Sequence, residues 1–413
     1  MEVEIWNFIG IWNLGFGISP LLLLLVFARP ECYLKAEMNP RSKPRYLMLG
    51  GFLGAGKTTA VARLAHWLTQ RGLRVGLITK DQGSQLVDTQ MLSTRGFPVE
   101  EIAGGCFCCR FNSLLEAAGR LTQQNRPDVF IAEPVGSCTD LVATVTYPLR
   151  RIYGESFSIA PLSVLVDPIR AARVHGLANG GKFSEKVLYI YRKQLEEADL
   201  IIINKLDVLS AESLASLRTA LGLQYPHAQI FTVSARTGDG LEDWFAAITS
   251  CEQAPRASME VDYEIYADGE ALLGWLNATL DLKALQPIDA NALLQQVAAE
   301  IQRRLNDAGS EVAHLKMTLE AHTGLDDLAV INLVRNDFVP ELSQTLADPF
   351  EQGHLTINLR AEGAPELLRQ TLSDSVQNCL RLHPDLAANW EHLEAFKPGK
   401  PLPTHRMDVQ GSF

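Results

Sequence analysis

Tyr46-Leu47-Met48-Leu49-Gly50-Gly51-Phe52-Leu53-Gly54-Ala55-Gly56-Lys57-Thr58-Thr59 carries a short apolar run into a glycine-rich turn and then into a helical pattern. Residues Gly51 to Thr58 fit G-x-x-x-x-G-K-[ST], with a strand before the loop and a helix expected over Thr59-Gln70 after it. Glycines allow backbone N–H groups to curl around phosphate oxygens without Cβ clashes, and the helix N-terminus adds partial positive charge. Lys57 is expected to bridge β and γ phosphates, and the Thr58 hydroxyl to ligate Mg²⁺. Gly51, Gly54, Ala55, Gly56, Lys57, Thr58 and Thr59 are the expected phosphate-site residues.

Outward from this loop, Val75-Thr79, Val129-Ala132, Leu162-Val166, Leu200-Ile203 and Ile230-Val233 read as further buried strands, with helical patterns between most of them. That βαβα order implies an α/β domain with a mainly parallel sheet, because parallel strands need crossover connections. The alternation stops near Cys251-Arg256, which places a P-loop domain at 45–255. Glu260-Tyr266 alternates polar with apolar residues and reads as a half-exposed strand. Helices are expected at Asn291-Leu305 and Pro365-Leu382, and strands at Lys316-Leu319, Ala329-Leu333 and Leu355-Leu359, giving a smaller α+β domain over 256–396. Residues 397–413 read as a flexible tail and 1–44 as a leader.

With 413 residues, 47 % hydrophobic and 21 % charged, the chain has globular rather than disordered or polytopic composition. Its 37 basic and 48 acidic side chains give a net charge of −11, which argues against nucleic acid as a partner. Ile5 to Ala28 is uncharged and long enough to span a membrane, but Gly10, Gly15, Gly17 and Pro20 interrupt it and Glu2 and Glu4 replace a basic signal flank. The favoured reading is a leader or gene-calling artefact, with translation from Met38. Membrane contact is expected only if this stretch is real, and a cytoplasmic location follows either way.

Asn204-Lys205-Leu206-Asp207 follows the apolar run Leu200-Ile203, at the strand end where open α/β sheets bind ligands. It resembles the guanine-specificity motif of G proteins. A carboxylate at Asp207 can accept from both N1–H and the 2-amino group of guanine, a donor pair adenine lacks. Ser234-Ala235 resembles the further loop that contacts the guanine oxygen. Three of the seven cysteines crowd into Cys106-Phe107-Cys108-Cys109. Three sulfur donors from one segment suit a soft or borderline ion such as Zn²⁺, Co²⁺ or Cu(I), and leave one position of a four-coordinate site open. Cys32, Cys138, Cys251 and Cys379 read as isolated, ordinary buried thiols.

Together, the phosphate loop, Gly105-Cys109, Glu133-x-x-Gly136 and Asn204-Asp207 resemble the CobW-type family of P-loop GTPases, related to the nickel-insertion G proteins. The resemblance implies a GTP-dependent metallochaperone using GTP and Mg²⁺, loading Zn²⁺ or Co²⁺ on Cys106, Cys108 and Cys109 and serving a client metalloprotein. It places Glu133 where other P-loop proteins carry the Mg²⁺-associated Asp. Thr58 and Glu133 are thus the expected Mg²⁺ residues, and self-association is left open. The segment Lys80-Asp81-Gln82-Gly83, followed by Asp88, departs from the family's Asn-Glu-x-Gly, with Asp81 as its candidate carboxylate. Gln82 and Arg110 are candidates for positioning water. His314, His322 and His354 are scattered and support no metal store in the second domain. Hydrolysis is expected to be slow. The rival readings are a G protein guarding an organic-cofactor enzyme with structural cysteines, and a membrane-tethered interaction protein.

Overall fold

The computed structural model describes residues 43–81, 92, 96–154, 156–322 and 328–408, with only the backbone of Asp81. The leader, Gln82, Gly83 and Asp88 lie outside the described residues. Strands β1 (Arg45–Gly51), β2 (Val75–Asp81), β3 (Val99–Ala103), β4 (Val129–Glu133), β5 (Ser158–Ile159), β6 (Ser163–Val166), β7 (Leu200–Ile203) and β8 (Gln229–Thr232) form one sheet. Its order is β3-β2-β4-β1-β6-β7-β8, with β5 also on β1, and every pairing is parallel. The apolar runs are strands because both faces are covered: β1, β4, β6 and β7 are buried throughout.

The helix Lys57–Thr69 starts at the phosphate loop and buries Ala60, Val61, Leu64, Ala65 and Leu68, the spacing of one helical face. Burying Leu64 and Leu68 contributes about 1.5–3 kcal/mol each. Because β1 lies between β4 and β6, the loops after β1, β4, β6, β7 and β8 converge at one sheet edge.

The second sheet is antiparallel, in the order β12 (Glu341–Gln344), β11 (Leu328–Leu333), β10 (Val312–Ala321), β13 (Phe350–Glu362), β9 (Leu273–Ile288), β14 (Leu386–Phe396). Leu276, Ala278, Leu280, Leu315, Met317, Ile357 and Leu359 pack with residues of helices Ala290–Asp307 and Pro365–Leu382. The opposite face is polar yet buried, with Asn277, Thr279, Lys316, Thr318, Thr356, Asn358 and Arg360 all below 10 % exposed. Arg360 lies over the Trp275 ring at 4.0 Å and donates to Asn277 Oδ1 at 2.8 Å.

Two sequence expectations need correction. Residues 260–266 are not a strand: the segment opens the helix Tyr263–Leu272, capped by Asp262, whose carboxylate accepts from Glu264 N at 2.9 Å and Ile265 N at 3.1 Å. Its Gly269 packs on the backbone of helix Glu185–Glu197, where a Cβ would lie 2.4 Å from the Lys186 carbonyl oxygen. The stretch from Lys397, read as a flexible tail, has no regular structure but is anchored over residues 402–407. Thr404 N donates to Cys108 O at 2.8 Å, Met407 N to Ala143 O at 2.8 Å, and Arg406 Nε to Asp140 at 2.8 Å.

Among the described residues, no helix is long and apolar enough to cross a membrane.

Candidate nucleotide cleft and cysteine site

A cleft of about 700 Å³ opens over the convergent loop ends. Gly54, Gly56, Lys57, Thr58, Thr59, Glu133, Asn204, Lys205, Asp207 and Ala235 line it, as do Lys316, Asn358 and Arg360 from the second sheet. Lys57, Lys80, Arg63, Lys205, Lys316 and Arg360 make this cleft cationic on a chain of net charge −11. That local field suits a polyphosphate, which global charge alone would not suggest.

Gly56 has φ +91°, and a Cβ there would lie 2.4 Å from Asn204 Nδ2, so the loop closes only around glycine. The Lys57 ammonium donates to the Phe52 carbonyl at 3.4 Å. Thr58 Oγ1 donates to Glu133 Oε1 at 3.0 Å, which joins the hydroxyl and carboxylate that the sequence nominates for Mg²⁺. Gly51 ends β1, Ala55 is buried beneath the loop and Thr59 is exposed in the cleft.

Asn204 braces two loops: its Nδ2 donates to Ala55 O at 2.9 Å and its Oδ1 accepts from Ala235 N at 2.9 Å. Lys205 adopts φ +57° and donates from Nζ to Gly54 O and to Asp167, both at 2.8 Å. Asp207 accepts from Ser234 Oγ at 2.6 Å and from Arg236, which also pairs with Glu341 of β12. Burial resists ionisation of Asp207, but Ser234 and Arg236 outweigh it and hold the carboxyl below its ordinary range. Arg236 therefore stands at the carboxylate that a guanine would engage.

Asp167, at the end of β6, is a hub that sequence reading did not single out. Only 2 % exposed, it accepts from Lys205 Nζ at 2.8 Å, Arg335 Nη1 at 3.1 Å and Arg170 N at 2.9 Å. Arg170 in turn donates to Leu53 O at 2.7 Å, to Val312 O at 3.2 Å and to Val334 O. The phosphate loop, the Asn204–Asp207 loop and the second domain are thus tied through one buried carboxylate. Burial works against its charge, but Lys205, Arg335 and Arg170 hold it well below the usual carboxylate range.

The cysteine loop lies outside the cleft lining. Cys106 Sγ and Cys109 Sγ are 2.9 Å apart, and Cys108 Sγ and Cys109 Sγ 3.7 Å. All three sulfurs lie within 4.8 Å of one another, close enough to share one ion. Cys106 and Cys108 are buried and Cys109 half-buried, with Leu402 N donating to its sulfur at 3.2 Å. The neighbouring thiols, Cys108 first and then Cys109, pull the Cys106 thiol well down. Its hydrogen bond with Cys106 pushes Cys109 up to about 11. Lys80, which lines the cleft, also interacts electrostatically with Cys138, Cys106 and Cys108. Cys138, read as an ordinary buried thiol, is 1 % exposed in the same apolar core as Cys106 and Cys108. Arg110 turns back to Gly104 O at 2.9 Å. His354 also has company: Asp281 and Glu391 lie 3.3 and 3.4 Å from its Nδ1 on neighbouring strands.

Residues 45–232 match the family model described as CobW/HypB/UreG, nucleotide-binding domain. The chain is 28 % identical over 176 residues to the zinc chaperone YeiR of Escherichia coli, covering 41 % of this chain and 49 % of that protein. It is 28 % identical over 193 residues to the zinc chaperone CobW of Sinorhizobium sp, covering 41 % of this chain and 53 % of that protein. The chain spans about half the length of these relatives. The crystal structure of Zn(II)-bound YjiA GTPase from E. coli aligns with TM-score 0.34 and 17 % identity over 81 % of this chain and 99 % of that one. The matched stretch, residues 45–232, carries the phosphate loop, the cysteine loop and the Asn204–Asp207 loop, and it is over this stretch that the chain is similar to the CobW/HypB/UreG nucleotide-binding domain.

Proposed function

We propose that the chain is a GTP-binding, slowly GTP-hydrolysing metallochaperone of the cytoplasm that carries a transition metal, zinc or cobalt, to a client metalloprotein. The observation that carries this reading is the placement of two chemistries on one segment. Residues 133–139 hydrogen-bond to the phosphate loop through Glu133, and their Val135 and Cys138 are buried in the same apolar core as Cys106 and Cys108.

In this reading GTP occupies the cationic cleft, with its base on Asp207 and its phosphates along Gly51–Lys57. Entry of guanine exchanges the Arg236 contact of Asp207 for the N1–H and 2-amino donors. Adenine would leave that carboxylate facing no donor, which supports selection against ATP. Lys57 turns from the Phe52 carbonyl to the β and γ oxygens. Thr58 and Glu133 fit Mg²⁺: one hydroxyl and one carboxylate, already 3.0 Å apart at the phosphate end of the cleft. When bound, Mg²⁺ supplies charge neutralisation between the β and γ phosphates. This chain's own residues supply positioning and a cationic wall, a set that supports slow intrinsic hydrolysis.

Two names among the relatives, both zinc chaperones, and three sulfurs within 4.8 Å support the metal reading. Titration of Zn²⁺ and Co²⁺ into the purified chain, with a non-hydrolysable GTP analogue and with GDP, tests it. Metal affinity that differs between the two nucleotides is the expected result. Identical affinities, or no binding, would overturn it.

A further inference from the structure

Asp281, His354 and Glu391 come from three neighbouring strands of the second sheet, β9, β13 and β14. His354 pairs directly with Asp281 across β13 and β9, and both side chains point away from the helices, since Leu280, Leu282 and Leu355 beside them belong to the core. Glu391 reaches them because β14 carries a bulge: the register shifts between Trp390 and His392, which leaves Glu391 as an extra residue with no partner on β9. A bulge re-aims one side chain, and here it brings a carboxylate to a pair already formed.

The separations distinguish a shared ion from a simple ion pair. Asp281 Oδ1 and Glu391 Oε2 lie 3.3 and 3.4 Å from the same atom, His354 Nδ1, and the three ligand atoms are within 4.8 Å of one another. A charge-assisted hydrogen bond closes to about 2.7–2.9 Å, and one proton on Nδ1 serves one carboxylate well. Donors held ~2.0–2.2 Å from a tetrahedral zinc stand about 3.4 Å apart, which is the spacing of both carboxylates from the imidazole. One imidazole and two carboxylates also balance the charge of a divalent ion. These donors suit zinc, cobalt(II) or manganese(II), and not the soft Cu(I) that thiolates accept.

Polar atoms without a partner flank the trio. Thr279, two residues before Asp281 on the same face, is 1 % exposed, and its Oγ1 has no hydrogen-bond partner among the described residues. His392, paired with Thr279 across β14 and β9, has its Nε2 buried and likewise without a hydrogen bond, 3.7 Å from Glu394 Oε2. Buried polar atoms of this kind cost free energy unless a ligand satisfies them. Water on the open position of a three-donor ion is such a ligand.

We propose that Asp281, His354 and Glu391 form a second divalent-metal site, on the sheet of the second domain and separate from the cysteine cluster. It does not depend on metal binding by the cysteine loop. All three side chains are partly exposed, so an ion reaches them without unfolding of the sheet.

The test titrates the nucleotide-free full chain with Zn²⁺ against a competing chelator and with Co²⁺ by absorption spectroscopy. One cobalt equivalent should show ligand-field bands without sulfur-to-cobalt charge transfer. His354→Ala should remove that equivalent, and Glu391→Gln should weaken it at least about tenfold, the size that even an outer-shell change produces. Charge transfer from the cysteine loop should be unchanged in both. X-ray absorption at the zinc edge of a chain carrying Cys106→Ser, Cys108→Ser and Cys109→Ser should show nitrogen and oxygen neighbours at ~2.0–2.2 Å; the cobalt spectra of the unsubstituted chain need no such variant to fold. Zinc and cobalt binding by His354→Ala equal to the parent's, or a parent whose bound ions have sulfur neighbours alone, would overturn the second site while leaving the metallochaperone reading standing. A nitrogen–oxygen equivalent without any sulfur-bound one would overturn the metal reading of the cysteine loop and leave this site in place.

Discussion

Replacing Asp167 by Asn removes one charge from the junction between the phosphate loop and the second domain while keeping nearly the same shape. Asn caps a helix about as well as Asp, so the bond from Arg170 N is retained and the substitution isolates the electrostatic contribution. What remains is Arg170, buried, its guanidinium on the Leu53, Val312 and Val334 carbonyls and over the Phe52 and Phe183 rings, and Arg335, 7 % exposed, whose other partner Asp337 is half exposed. Breaking a buried pair by deleting one partner costs about 3–5 kcal/mol, because the remaining charge stays desolvated. Asp167→Asn should therefore lower unfolding free energy by about that amount, and Asp167→Ala by about 1 kcal/mol more through loss of the cap. Lys205 loses one of its two anchors at the same time, so GTP affinity should fall as well. Urea unfolding followed by tryptophan fluorescence reads the first effect and nucleotide titration the second. The folded carboxyl is held low, so its stabilisation is complete above the ordinary carboxylate range and decays only as pH falls below it. A loss under about 1 kcal/mol for Asp167→Asn at neutral pH would refute the hub.

Glu197 is raised to about 8, first by burial and then by the charge of Asp140, against 4.5 in an ordinary setting. Between those values the unfolded chain loses a proton that the folded chain keeps. Stability should thus fall with rising pH by about 1.4 kcal/mol per unit at most, and level off above pH 8. Glu197→Gln should flatten that slope in urea midpoints taken from pH 5 to 8, and parallel slopes would contradict the assignment. Asp207→Ala should reduce preference for GTP over ATP by on the order of 10²-fold or more in competition binding; an unchanged ratio would remove Asp207 from base recognition. Truncation after Lys397 deletes the Leu402, Thr404 and Arg406 contacts, so Cys109 should alkylate at least tenfold faster by peptide mass spectrometry, whereas an equal rate would mean the segment does not shield it. A Cβ at Gly136 would lie 2.8 Å from Leu53 Cγ and 2.9 Å from Leu53 N. Gly136→Ala should accordingly abolish the nucleotide dependence of metal affinity while leaving metal binding measurable, and retained dependence would show that this contact transmits nothing.

The parts of the site that were legible in the sequence are those whose chemistry is contiguous. Gly51–Thr58 and Asn204–Asp207 announce themselves because each motif is contained in one turn. The strands of the first sheet were legible because both their faces are buried, which leaves short unbroken apolar runs. Glu260–Tyr266 misled because seven alternating residues satisfy a strand pattern, while the decisive signal was the cap at Asp262. The approach of Asp167 to Arg335 depends on tertiary pairing, for which a single sequence carries no periodic mark. The polar face of the second sheet was hidden for a related reason. Asn277, Thr279 and Arg360 are polar and carry no sequence mark of burial, yet the fold buries them, and Arg360 reaches the cleft.

Coupling of a nucleotide to a metal requires an element that both ligands bias, and segment 133–139 meets that condition in its contacts. Its first residue is hydrogen-bonded to Thr58, its Gly136 lies against the phosphate-loop backbone at Leu53, and its Val135 and Cys138 share an apolar core with Cys106 and Cys108. The energies are commensurate. A hundredfold change in metal affinity is about 2.7 kcal/mol of coupling, and a hydrogen bond to a charged carboxylate contributes about 1.5–3 kcal/mol. Exchanging the Thr58–Glu133 bond for contacts to a bound Mg²⁺ and phosphate would supply an energy of that size without a rearrangement of either sheet. Linkage makes the proposed coupling reciprocal: an ion on the cysteine loop must shift GTP affinity by the same factor by which GTP shifts affinity for the ion.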